Sequence, residues 1–435
     1  MTPQTAHEEP PGAGSNARTR IRRAVSPLVV SVRQGAAFLH RPLPSPPARL
    51  RLGPLKQYAF PSPLHNRYNA AWLGYALGWS FSTCFITGLI SHFAQHPTWW
   101  FDLPAHPIWL YRVTQGVHVA TGLASIPLLL AKLWTVYPRF WGWPPARTIA
   151  AAIERISLIG LVGGAIFQLL TGVANIYKWY FFSFFFTPTH YFTAWIVMGS
   201  LAIHVGAKIA IARDALRHPA RYERRSRSAH PVGVGIESSL SRRGFLTGVA
   251  ATSGAITVAT VGQSFSPLGA LDVLGPRKPG VGPQHLPVNQ TARAAGVSSV
   301  IFDSEYALTI RRGTTTKVLS LEDIQALPQY TVRLPITCVE GWSADATWSG
   351  VRLRDIVDLV GAAHNASVRV ESLERSGLYR SSIVNPSHAR DPLTLLATHL
   401  NGQMLDADHG YPLRLIAPDR PGVMQTKWLH EVVVL

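Results

Sequence analysis

Four long stretches of this chain carry almost no charge, and no other feature narrows its possible folds as much. The first runs from Asn69 to Phe101 without Asp, Glu, Lys or Arg. The others lie between Arg112 and Lys132, between Arg155 and Lys178, and from Trp179 to Ala207. Each reaches or nearly reaches the roughly 20 residues a helix needs to cross a bilayer core. They are predicted as four transmembrane helices, the fourth entered through an aromatic run (Trp179, Tyr180, Phe181, Phe182, Phe184, Phe185, Phe186) with Pro188 in its first turn. Composition agrees: of 435 residues only 15% are charged and 47% are apolar, the mixture expected of membrane spans joined to soluble material.

The formal charge of +18 points toward nucleic acid until it is located. Residues 1–60 hold nine Lys and Arg against Glu8 and Glu9. A second cluster comprises Arg213, Arg217, Arg221, Arg224, Arg225, Arg227, Arg242 and Arg243. The loop between the second and third stretches holds Arg139 and Arg147, whereas the other two loops hold Asp102 and Lys178. By the positive-inside rule, both ends of the four-helix unit face the cytoplasm. The charge is therefore topological, and nucleic acid is not expected as a partner. The Pro-, Ala- and Arg-rich segment 1–64 reads as a disordered cytoplasmic tail whose bases adhere to anionic membrane lipid.

After the second cluster stands Ser241-Arg242-Arg243-Gly244-Phe245-Leu246, and a mildly apolar run then extends from Thr247 to Phe265. This resembles a twin-arginine export signal. A fifth span with a basic flank is the simpler reading. Either one places the residues after about 270 outside, and without a clear cleavage site the segment stays as an anchor.

Ionisable side chains inside a span are costly and mark function. His118 falls in the second stretch, and His190 and His204 fall in the fourth, 14 residues apart. At 1.5 Å per residue these two share a helix face about 21 Å apart, a spacing that suits two haems stacked across a bilayer. His65, just before the first stretch, lies at the depth of His204, while His92, His96 and His106 compete for ligand roles near the outer face. This pattern resembles the di-haem cytochrome b subunits of formate dehydrogenases and nickel–iron hydrogenases. The resemblance implies His118 and His190 on an outer haem b, and His65 and His204 on an inner one. Cys84 reads as a small core residue.

Residues 272–435 change character. Val332–Cys338, Ser367–Val370 and His430–Leu435 read as strands, and Val351–Val360 as an amphipathic helix, an α+β pattern long enough for one core. The two cysteines, Cys84 and Cys338, are too few for a disulfide framework or a thiolate zinc cluster. Several ordered blocks stand out: Thr337-Cys338-Val339-Glu340-Gly341-Trp342-Ser343, then Trp348-Ser349-Gly350-Val351, His399-Leu400-Asn401-Gly402, Asp408-His409-Gly410-Tyr411-Pro412-Leu413-Arg414 and Thr426-Lys427-Trp428-Leu429. Together they resemble the molybdopterin-binding domain of the sulfite oxidase family over nearly all of residues 285–435. The resemblance implies Cys338 as the thiolate ligand of molybdenum. It implies His409, Arg414 and Lys427, with Thr426, on the pterin phosphate, and Asn289 as a further pterin contact. Glu340 and Tyr379 would line the substrate pocket. The arginines that bind sulfite in sulfite oxidases have no match near Cys338, and Asp419-Arg420-Pro421-Gly422 replaces the usual aromatic-glycine sequence before the lysine.

The sequence thus reads as a multi-domain chain. It has a tail (1–64), an all-α four-helix di-haem cytochrome b membrane domain (65–212), a basic linker (213–243), a fifth transmembrane anchor (244–271) and an exported α+β molybdopterin domain (272–435). The expected function is that of a membrane-bound molybdopterin oxidoreductase acting on a small oxidised or reduced sulfur or nitrogen compound, with electrons exchanged with the quinone pool through two b haems. A non-catalytic redox module and a haem-only transmembrane reductase are the rival readings. The second lacks the Gly-rich dinucleotide fingerprint it would need.

Overall fold

The computed structural model describes residues 34–45, 62–98, 100–140, 144–222, 241–261, 264 and 266–435. Five helices are long and apolar enough to cross a membrane: α1 (Arg67–Gln95), α2 (Leu110–Phe140), α3 (Ile149–Ile176), α4 (Phe186–Arg217) and α5 (Arg242–Val261). The second and fourth run on past their charge-free stretches, and their last turns carry the bases Arg139 and Arg217. Their starts obey capping chemistry. The Asn66 side chain accepts from the Asn69 N–H at 2.9 Å, and Thr148 accepts from Ala151 at 3.2 Å. The aromatic run before Phe186 is not helical, and its rings form an exposed cluster around Trp179, Phe181 and Phe185. Such rings favour the membrane–water boundary.

Helix contacts are made by small and hydroxylated residues, as membranes require. Gly160 and Gly164 of α3 lie one turn apart against α4, where a Cβ would come within 2.7 Å of Ser200 Oγ and Val197 Cγ2. Between α1 and α2, Ser125 Oγ donates to Ser80 Oγ at 3.0 Å and Ser80 Oγ to the Thr121 carbonyl at 2.9 Å. The fifth helix is no detached tether. It lies along α2, with Ser253 donating to the Ala124 carbonyl (3.0 Å) and Thr257 to that of Ala120 (3.3 Å). Two other expectations shift. The tail is structured where it meets the third helix: residues 34–39 are helical, Pro42 bridges to Thr148, and Leu43 donates to the Arg147 carbonyl. The domain boundary at 212 falls inside α4, and Arg224, Arg225 and Arg227 of the linker lie outside the described residues.

The C-terminal domain packs two sheets. One has the order β2-β1-β10-β5-β6, from β1 (Ala307–Arg312), β2 (Thr315–Ser320), β5 (Val368–Ser372), β6 (Ser381–Val384) and β10 (Leu429–Val434), with β1 parallel to β10. The other has the order β3-β4-β7-β8, from β3 (Tyr330–Thr337), β4 (Ser343–Arg352), β7 (Leu395–Leu400) and β8 (Gln403–Met404), with β9 (Arg414–Ile416) also pairing β7. Leu308, Ile310, Val351, Leu396 and Val432 close one core between them. Three strands therefore fall where alternation predicts them, while the helix expected over Val351–Val360 is shorter, its first two residues belonging to β4. Val351 pairs with Leu396, and Gly350 lets β7 approach so closely that a Cβ would meet the Leu396 carbonyl at 2.1 Å. Only Leu353–Asp358 is helical.

This domain sits on one end of the helical domain, over Gln95, Tyr111 and Asn175. Asp419 Oδ1 accepts from the Tyr111 N–H at 2.5 Å, so a carboxylate of one domain caps the N-terminus of α2 in the other. Arg112 pairs with Asp345 (3.2 Å), Ser387 donates to Asp102 (3.0 Å), and His106 meets Asp391 (2.8 Å).

Two predictions concern this architecture. Gly164→Leu overpacks the α3–α4 contact and should destabilise by about 1–3 kcal/mol in detergent thermal unfolding, whereas Gly163→Ala, which faces open space, should not. Asp419→Ala should loosen the docked domain by about 1 kcal/mol in calorimetry, and Asp419→Asn, which keeps an acceptor, by less. Burial lifts the Asp419 carboxyl from its ordinary 3.8 to about 7, against the hydrogen bond from Tyr111. The folded state therefore holds the proton more tightly. The stability of the wild type relative to Asp419→Asn is highest at low pH and falls as the pH rises toward 7.

Candidate active site and the cavity beneath it

Cys338 stands at the end of β3, where the chain turns back over residues 338–342. Its N–H donates to the Trp342 carbonyl (2.9 Å), and Gly341 donates to its own carbonyl (3.0 Å). Gly341 takes φ +97°, and a Cβ there would strike Val119 of α2 at 2.9 Å. The turn therefore lies flat on the helical domain. Its Val339 carbonyl accepts from the Gln115 side chain of α2 (3.0 Å) and from Asn175 of α3 (3.5 Å), and the Gly341 carbonyl accepts from Ser264 (2.8 Å).

The thiol of Cys338 is 2% exposed, and burial, then the Glu340 charge beside it, push it well above the usual thiol range. A thiol so placed becomes a thiolate when a cation replaces its proton, as in metal coordination. Arg414, on β9, is 1% exposed, and its Nη1 donates to the His409 carbonyl (3.0 Å). Its Nε and Nη2 are buried without hydrogen-bond partners. Burial pulls this guanidinium down to about 9. Lys427 Nζ donates to the carbonyls of Gln290 (2.8 Å) and Asp408 (2.7 Å), and burial, then Arg414, hold it well below the ordinary lysine range. Two adjacent buried cations, one with orphaned donors, are costly unless an anion joins them. This donor set fits an anionic pterin.

His409 serves differently from the cation expected. Burial, then the Arg414 charge, hold its imidazole down to about 4, so it is neutral at pH 7, and its Nε2–H donates to the Pro283 carbonyl (2.8 Å). What it offers Arg414 is its backbone carbonyl. Thr426 shares a buried hydroxyl contact with Ser382 (2.9 Å). Asn289 turns its Oδ1 onto the Gln290 N–H (2.9 Å). Glu340 holds Lys178 of the α3–α4 loop (3.1 Å) and accepts from Trp342 Nε1 (3.1 Å), and Tyr379 donates to Gln95 of α1 (2.9 Å).

Asn289, Glu340 and Tyr379 line the top of a cavity of about 670 Å³ that descends between α1, α2, α3 and α4 to His118 and His190. His118 Nδ1 lies 2.8 Å from the Cys84 carbonyl, and His190 Nδ1 lies 3.1 Å from Thr171 Oγ1. With Nδ1 anchored, each ring has its Nε2 left for a ligand, the usual arrangement around a metal-binding imidazole. Gly88 and Gly172 also border the cavity, and a Cβ on Gly88 would meet the His118 ring at 2.9 Å. The pair fits a haem. Cys84 is thus more than a filler, since its carbonyl orients His118.

Other histidines fare differently. His92 also lines the cavity but stacks on Tyr191 (3.8 Å) and His96 (4.5 Å), while His106 is engaged by Asp391. His65 packs against Trp134 at 4.4 Å and His204 faces Glu154 at 3.9 Å; neither lines this cavity. The interface residues Gln115, Asn175, Lys178 and Asp419 escaped sequence reasoning. A signal existed for two of them: Gln115 and Asn175 are amides in apolar stretches, and such groups need partners.

Residues 295–435 match the family model described as the oxidoreductase molybdopterin binding domain. Sulfite oxidase of Arabidopsis thaliana is 32% identical over 151 residues, covering 27% of this chain and 38% of that protein. The putative protein-methionine-sulfoxide reductase subunit YedZ1 of Azospira oryzae is 34% identical over 115 residues, covering 26% of this chain and 43% of that protein. Less than half of either relative is therefore spanned. The sulfane dehydrogenase SoxCD structure from Paracoccus pantotrophus overlays with 21% identity, covering 30% of this chain and 38% of that one, at a TM-score of 0.28, too low to carry an argument. Residues 295–435 of this chain are thus similar to the molybdopterin-binding domain of sulfite oxidases, and they are joined here to five membrane-length helices.

Proposed function

We propose that the chain is a membrane-bound molybdopterin oxidoreductase that works on a small sulfur or nitrogen compound outside the cytoplasm and exchanges electrons with the quinone pool through two b haems. One observation supports this reading most: the cavity that has His118 and His190 in its walls has Glu340 and Tyr379, from the domain of Cys338, at its top. A molybdenum centre supplies two-electron oxygen-atom-transfer chemistry when bound, and haem supplies one-electron carriage.

The residues of the chain divide the remaining work. Cys338 would hold the metal through its sulfur, and burial keeps its thiol protonated until such a cation is bound. Arg414 presents its two unpaired donors, and Lys427 its ammonium, to the anionic pterin. Asn289, Glu340 and Tyr379 face the space where a substrate meets the site, with Glu340 paired to Lys178. His118 and His190 bind the outer haem, and His65 and His204 the inner one. Orientation is supported by charge, because the C-terminal domain sits at the bundle end opposite Arg139, Arg147, Arg217 and Arg242.

Two substitutions test the reading. Cys338→Ala should abolish reductase or dehydrogenase turnover, a loss of at least about a hundredfold, while both haems stay in the difference spectrum; retained turnover would refute the metal assignment. His190→Ala should remove one of two haems by pyridine assay and leave molybdenum content unchanged. An unaltered haem count would overturn the pairing.

A further inference from the structure

The cavity of His118 and His190 has two Lys or Arg side chains in its lining, Lys178 and Arg277. Lys178 is matched, since its ammonium lies 3.1 Å from Glu340. Arg277 is not. It belongs to the segment between α5 and the C-terminal domain. Its Nη1 donates only to the carbonyl of the preceding residue, Pro276 (3.2 Å), and its Nε is buried with no hydrogen-bond partner. No carboxylate forms an ion pair with it among the described residues. A partly buried guanidinium with an orphaned donor calls for an anionic oxygen group, and its planar fork matches a carboxylate.

A haem b carries two carboxylates along one edge, and the lower walls of this cavity, around Phe81, Leu123 and Leu169, are apolar and offer them no counter-ion. The cation sits at the upper end. We propose that Arg277 is the counter-ion of a propionate carboxylate of the haem held between His118 and His190, so that a residue outside the four-helix domain completes the haem site. The inference rests on the haem reading above and adds to it a residue from the strap that joins the two domains.

The test uses the purified full-length chain with its haems, and reads the midpoint potentials by optical titration. Arg277→Gln removes a cation beside one haem and so favours its oxidised form. At the wild-type midpoint the oxidised-to-reduced ratio of that haem should rise about fivefold, with the second haem unmoved; a tenfold change would be about 59 mV for one electron. Arg277→Lys keeps the charge and should stay within about twofold of wild type, while its redox-difference infrared spectrum shows displaced propionate carboxylate bands. Should the glutamine variant not accumulate, those bands decide, and unchanged bands overturn the pairing. Unmoved potentials with both haems bound overturn it as well. If instead the variant only raises KM for an anionic substrate, Arg277 serves the substrate and the proposal fails. A wild-type chain devoid of haem would sink the haem reading itself, a result distinct from haem present at an unshifted potential.

Discussion

The carbonyl of Val339 and two side-chain amides, Gln115 and Asn175, solve one another's problem at the junction of the two domains. A buried carbonyl in a tight turn has no ladder to join, and an amide on an apolar helix has no water. Bringing them together satisfies both, and it pins the turn that carries Cys338 to the ends of α2 and α3. Every neighbouring contact presupposes this seating. Gly341 must lack a side chain so that Val119 can lie under it, Glu340 must point down to meet Lys178, and Asp419 must reach the first turn of α2. Loss of the seating would leave several buried polar groups unmatched at once, which makes the docked arrangement cooperative.

The seating also explains how two chemistries share a wall. Val119, on which Gly341 rests, is the residue after His118, so the turn of the proposed molybdenum ligand touches the helix position next to the proposed haem ligand. The same closeness limits access, because the top of the cavity is formed by both domains, with Gln95 and Lys178 from below and Asn289 and Tyr379 from above. Anything that enters the cavity therefore meets residues of both domains.

What could be read from residues alone was whatever a short local pattern encodes. Charge-free stretches marked where four of the helices lie but not where they end, alternation marked β3, β5 and β10, and the block around Cys338 marked the C-terminal domain. The errors have local causes too. Val351–Val360 has helical spacing, but Gly350 admits a neighbouring strand so closely that β4 continues through Arg352. His409 looks like a cation in sequence, yet burial and Arg414 keep it neutral. Gln115, Asn175 and Asp419 could not be paired in advance, because their partners are backbone groups 224, 164 and 308 positions away, and a backbone carbonyl or N–H has no signature in sequence. Arg277 belongs to none of the sequence blocks, and only the cavity gives it a context.

The fifth helix shows why these parts gain from being one chain. Its arginine pair resembles an export signal, yet after insertion the same segment is structural. Its 20 residues span about 30 Å, its hydroxyls bind α2 carbonyls, and its end leads through Ser264 directly to the Gly341 carbonyl of the catalytic turn. A free domain would have to find the bundle by collision and would give up orientational freedom on docking. A domain tethered through a helix already packed on α2 has given up most of that freedom in advance, so a few modest contacts suffice to hold it. The junction is accordingly polar and built from single hydrogen bonds and ion pairs, where an association between separate subunits would call for a broad apolar interface. The segment that joins the two domains thus also determines where the second comes to rest.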